Sequence, residues 1–193
     1  MTGSTLRFSA MAISCLLSFF ILVEGFAASD ILSGKRDIIL LDKKGEAITI
    51  GQILFSPLPN SKLADFEVHL DHHKFTDHFL SMKEMKCLEG PELWCRIPYP
   101  YANSRQVSVN DLRWLEHDLL FLFKRNKEFG ANFWNGIYYR LQITDQGIDG
   151  EANAVDLNFL ASPPDDLTTP PIGEGELDES DNDKRWLPVL QIR

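Results

Sequence analysis

Apolar and polar residues alternate with a period of two in several stretches of this chain. In residues 62–101, Phe66, Val68 and Leu70 alternate with Glu67, His69 and Asp71, the pattern of a half-buried strand. A second run sets Phe75, Asp77 and Phe79 against Thr76, His78 and Leu80. A turn at Asp71–Lys74 would join the two runs as a hairpin, with Phe66 opposite Phe79 and Glu67 opposite His78. Two details count against that register. His72-His73 is a poor two-residue turn, and Asp77 lands on the apolar face.

Elsewhere, Ile38–Leu41 is a short apolar run, and Ala47–Phe55 reads as a buried strand interrupted by Gly51. Ile137–Thr144 alternates as a strand, Asp145–Gly150 is a tight loop, and Asn153–Ala161 is the expected return strand. Trp186–Ile192 has the composition of a last strand docking onto the sheet, although a long interruption precedes it.

A period of 3.6 is found once. Ser108 and Asp111 resemble a capping box, and Leu112, Leu115, Leu119, Leu122 and Phe123 form one stripe of a helix running to about Arg125. Trp114 and Phe121 fall on its other side, which reads either as burial on two sides or as a partner-binding seam. The expected fold class is α+β: a mainly antiparallel β-sheet with one long amphipathic helix against it.

Residues 1–27 have the layout of a secretory signal peptide. Arg7 is followed by an apolar run from Ala10 to Val23, and Gly25 and Ala27 suit cleavage after Ala27. The run is short for a membrane span, so no stable span is expected after cleavage. Residues 28–193 then form a single exported domain, within which 162–184 is acidic, proline-rich and expected to be mobile. Of three cysteines, Cys15 leaves with the signal. Cys87 and Cys95 bracket a turn at Gly90-Pro91-Glu92, and a lone pair in an oxidising compartment reads as a disulfide. The absence of any Asn-x-Ser/Thr acceptor fits a bacterial export route, so the expected location is periplasmic or secreted. A net charge of −9 without a basic stripe speaks against nucleic-acid partners.

Four candidate sites follow. In the hairpin register, Glu67, His69 and His78 share an exposed face, a donor set suited to Zn²⁺ with a position left for water. The plainer reading is a polar strand face. Asp145–Asp156 resembles a calcium loop with Gly150 at the turn, but Gly147 stands where a side-chain oxygen is needed and a strand precedes the loop. Glu116-His117-Asp118 reads as a solvated helix face, since adjacent helical residues do not face each other. Trp94, Tyr99 and Tyr101 are a candidate ligand-binding platform, with core and edge packing as the simpler explanation. No nucleophile elbow, phosphate loop or dinucleotide fingerprint occurs, which leans away from an enzyme. The expected function is that of an exported, non-enzymatic binding or interaction module of the cell envelope, with a protein or small ligand as partner and no cofactor. The alternative is a zinc-dependent hydrolase built on Glu67, His69 and His78.

Overall fold

Strands in this chain join into one antiparallel sheet. The computed structural model describes Met1 and residues 28–81, 83–125 and 127–193. The expected export segment therefore lies outside the described residues, Met1 apart. After a single helical turn, α1 (Ala28–Ile31), the strands are β1 (Gly34–Leu41), β2 (Ala47–Pro57), β3 (Leu63–Leu70), β4 (Thr76–Leu80), β5 (Lys83–Glu89) and β6 (Glu92–Arg96). They continue with β7 (Gln106–Ser108), β8 (Phe121–Arg125), β9 (Gly136–Thr144), β10 (Gly147–Val155), β11 (Leu177–Glu179) and β12 (Val189–Ile192). The spatial order is β4-β5-β6-β8-β9-β10-β12-β1-β2-β3-β7, and β11 also pairs with β10. Inward residues from both halves of this order meet in one core: Ile38, Leu40, Ile53, Phe55 and Phe66 with Trp94, Phe121, Ile137, Tyr139 and Ile192.

The fold is thus mostly antiparallel β rather than α+β with a long helix. Among the described residues no helix reaches seven residues. The helix expected over Ser108–Arg125 is only α2 (Arg113–Asp118). Ser108 ends β7 instead of capping a helix, and it is Asp111 whose side chain accepts from the Arg113 N–H at 3.1 Å. The run Leu120–Phe123 satisfies either period. It is extended because both faces of β8 are covered. Phe121 enters the main core, while Leu120 and Leu122 enter a second cluster with Tyr138, Val155, Leu157 and Ile172. Full burial of a side chain such as Phe121 stabilises by about 1.5–3 kcal/mol.

The expected β3–β4 hairpin does not form either. β3 pairs with β2 and β7, and β4 pairs with β5. His72–Lys74 is a turn of 3-10 helix capped by Asp71, whose side chain accepts from His73 N–H at 3.1 Å. Asp77 is exposed and pairs with Lys86 across the β4–β5 ladder at 2.5 Å.

Gly51 sits at a bulge: Ile38 faces Gly51 while Ile39 faces Thr49, so Ile50 is the extra residue. The slip keeps Ile50, Ile53 and Phe55 all buried despite their mixed parity. A Cβ at Gly51 would lie 2.3 Å from the His69 carbonyl oxygen, which requires glycine there.

The β5–β6 hairpin carries a disulfide between Cys87 and Cys95, which are direct cross-strand partners with Cα atoms 3.9 Å apart. At its tip, Gly90 lies under the ring of Trp186, where a Cβ would come within 2.3 Å of ring carbon Cζ2. Beside it Glu92 is buried and accepts from Trp186 N–H at 2.9 Å and Trp94 Nε1–H at 3.2 Å. Arg185 Nη1 lies 3.0 Å from the other Glu92 oxygen, and its guanidinium stacks 3.7 Å from the Phe123 ring centre.

Two expectations follow. Glu92→Ala leaves Arg185 buried without its counter-charge and two N–H donors unmet, and should lower stability by about 3–5 kcal/mol in urea denaturation. A loss under about 1 kcal/mol would show that the clamp carries no weight. Mass mapping after alkylation should show Cys87 and Cys95 unmodified in the native protein, and reduction should cost about 2–3 kcal/mol on the loop-entropy argument.

Candidate functional site

Helix α2 has no polar side. Trp114, Leu115, Glu116, His117 and Asp118 are all buried. The three ionisable groups are therefore held by specific partners rather than by water. The Glu116 carboxylate accepts from Tyr138 Oη–H at 2.5 Å and from the Leu141 backbone N–H at 2.7 Å. Burial pushes its pKa up, against the pull of those two donors. Asp118 is likewise raised by burial, opposed by Arg105, Arg96 and a hydrogen bond from Asn103.

His117 has no exposed surface (0 %). Its Nδ1 lies 2.7 Å from the Arg113 carbonyl, which can only accept, so Nδ1 carries the proton. Nε2 then accepts from the Ile172 N–H at 3.2 Å. The rings of Tyr99, Tyr138 and Trp114 surround the imidazole at 5.2, 5.5 and 5.9 Å. Burial pulls its pKa down to about 4. The solvated face expected at Glu116-His117-Asp118 is corrected by this burial. A signal was present: large apolar residues precede and follow the triplet so closely that no wide polar face remains.

Glu116 and Tyr138 form the inner wall of a recess of about 380 Å³, which Asp111, Arg113, Gln142 and Glu174 complete. A second recess of about 460 Å³ lies on the outer faces of β9, β10 and β12, between Gln142, Asp149, Glu151, Asn153, Gln191 and Arg193. Arg140 and Gln142 line both, so the two recesses adjoin along one polar groove face. The ladder explains the arrangement. Gln142 faces Asp149, which faces Gln191, and Arg140 faces Glu151, so one polar row crosses three strands and a second crosses two. The groove arginines on these strands are matched: Arg140 pairs with Glu174, and Arg193 with Asp149. The amides of Gln142 and Gln191 are left as neutral donors and acceptors facing the groove.

The residues singled out from sequence are dispersed. Glu67 and His69 approach to 3.4 Å on β3, whereas His78 on β4 is bound to Glu89 at 2.8 Å. Among the described residues no three His, Cys, Asp or Glu are placed to hold a metal ion. The Zn²⁺ donor set depended on the β3–β4 hairpin, and that pairing is absent. The calcium-loop residues of 145–156 are drawn out along β10 instead of wrapping a centre, with Asp149 bound to Arg193. Trp94 is fully buried in the main core. Tyr99 and Tyr101 pack edge to face at 5.7 Å, and Tyr101 Oη–H donates to the Leu160 carbonyl at 2.8 Å. The groove as such gave no motif, because its residues are alternate polar positions on β9, β10 and β12; Asp149, Glu151 and Asn153 fell within a pattern singled out, the calcium-like loop.

Tyr138→Phe removes a donor from a buried carboxylate and should cost about 1–3 kcal/mol. The sign with pH follows from the raised Glu116 pKa. A group raised in the folded state loses stability as pH rises, so the deficit should be larger at alkaline than at mildly acidic pH. Denaturation curves across pH check both points, and a pH-independent deficit would contradict the assignment.

The chain matches no known family profile, no curated protein and no solved structure.

Proposed function

We propose that this protein is an exported, non-enzymatic binding module of the cell envelope that takes a polar, uncharged ligand in the groove over β9, β10 and β12. The observation that carries this reading is the pair of adjoining recesses that share Arg140 and Gln142 in their walls. Each recess has the size of a small-molecule site. The ligand class follows from the charge pairing. With Arg140 and Arg193 each opposite a carboxylate, an anionic ligand gains no free counter-ion, while the amides can pair with hydroxyl or amide groups. Export is supported by the Cys87–Cys95 disulfide, which persists in oxidising compartments. Among the described residues no helix is long and apolar enough to cross a membrane.

The test is a chemical-shift screen with neutral oligosaccharides and short neutral peptides. A true ligand should perturb the amides of β9, β10 and β12 together. Replacing Gln142 and Gln191 with Ala should weaken its binding by roughly tenfold or more, for two lost hydrogen bonds of about 1 kcal/mol each, with Tm unchanged. Binding that maps to another face, or that ignores the double substitution, would refute the reading.

A further inference from the structure

Residues 162–176 form a strap from the 3-10 turn at Leu157–Ala161 to β11. The strap is exposed along most of its length, but Pro170 is buried and Ile172 has no exposed surface (0 %). Ile172 closes the outer cluster over Leu120, Leu122, Tyr138, Val155 and Leu157. Its N–H is held by His117 Nε2. Just beyond it, Gly173, Glu174 and Leu177 line the first recess of the groove, and Glu174 makes the strap's other tie, to Arg140.

We propose that His117 is a pH-operated latch: a proton gained on Nε2 releases the strap at Ile172 and opens the groove wall it forms. The neutral ring accepts the Ile172 N–H. An imidazolium carries N–H on both nitrogens, so donor would face donor across 3.2 Å, and the Nδ1 side cannot adapt because it is bound to the Arg113 carbonyl. The ring can be hydrated only if the strap lifts, since the Tyr99, Trp114 and Tyr138 rings enclose it.

The titratable and charged groups on the elements around the ring have distinct effects. Burial acts most strongly against the imidazolium, the Arg113 carbonyl favours it, the Arg113 guanidinium disfavours it and the Asp111 carboxylate favours it. Glu116 and Asp118 flank it on α2, Tyr99 comes from the segment after β6, and Tyr138 from β9. Glu174 and Glu176 stand on the strap. Because burial raises Glu116 and Asp118, their protonation favours the closed form, and they cannot drive opening in acid. His117 acts in the opposite sense. Its pKa is about 4 when closed, against about 6.5 for a hydrated imidazole. Closure is therefore fully favoured above about pH 6.5 and weakens roughly tenfold per pH unit down to about pH 4.

The consequence for ligand access rests on the groove reading, but release of the strap is measured without any ligand, so failures of the two are distinguishable. The experiment is hydrogen exchange of the Ile172 amide in the full chain, corrected for intrinsic rates, between about pH 7.5 and pH 4.5. Protection should fall on the order of 100-fold across the two units below pH 6.5. His117→Gln offers an amide oxygen in place of Nε2 and does not titrate, so its protection should stay flat. Glu174→Gln should leave the response in place. Constant protection in the parent chain, or an equal fall in His117→Gln, would overturn the proposal. If His117→Gln does not fold, an NMR titration of the parent chain decides: the His117 ring and the Ile172 amide should share one midpoint, and separate midpoints overturn it.

Discussion

A single buried carboxylate joins parts of the sheet that are not neighbours. Glu92 starts β6, and β8, β9 and β10 lie between β6 and β12 in the strand order. Yet Glu92 holds Arg185 and Trp186, the residues leading into β12. Tyr139 continues the same line by donating to the Leu187 carbonyl at 2.7 Å. The segment before β12 therefore crosses the end of the main core, above Trp94, Phe121 and Tyr139. Side chains satisfy the Trp186 N–H and the Leu187 carbonyl, and the Pro188 carbonyl reaches the Ala152 N–H of β10. Fixing this crossing sets where β12 enters the sheet.

The groove depends on that entry. β12 supplies Gln191 to the polar face that β9 and β10 begin, so the row Gln142–Asp149–Gln191 is complete only when β12 is seated. On the opposite rim, α2 contributes a wall of buried ionisable groups whose partners come from β9 and the strap. Burying Glu116 and His117 side by side is stable because every polar atom meets a complementary one, donor to carboxylate and acceptor to N–H. Such a site is exacting, since altering one protonation state leaves a mismatch that water cannot reach to repair.

Local signals in the sequence carried part of this. The Cys87–Cys95 pairing was legible because the turn between the cysteines sets their register, and β9 because its alternation marks it; β10 instead begins at Gly147, inside the expected loop, and ends at Val155, with Leu157–Ala161 a 3-10 turn rather than strand. The last strand was legible by composition, though its central place was not, since apolar content does not name a partner. Phe66–Leu70 and Phe75–Leu80 have patterns that fit one another, but Phe66–Leu70 pairs with β2 and Thr76–Leu80 with β5, and a local pattern cannot see partners supplied by other strands. At Leu119–Phe123 an unbroken apolar run fits helix or strand alike, and only the cover on both faces decides. For the groove, Arg140, Gln142, Gln191 and Asn153 are ordinary strand positions until the ladder aligns them.

β12 also bears on the order of assembly. It lies between β1 and β10, and Leu41 pairs with Val189. Until Val189–Ile192 arrive, the chain holds two half-sheets: β1, β2, β3 and β7 on one side, and β4 to β6 with β8 to β10 on the other. Each can form from its own hairpins, but neither can bury its inner face. Closure at high contact order is slow, because loop entropy is lost before the contacts that offset it are made. A core that closes only when β12 seats leaves both half-sheets open until then, so forming the halves and sealing the core are separable steps.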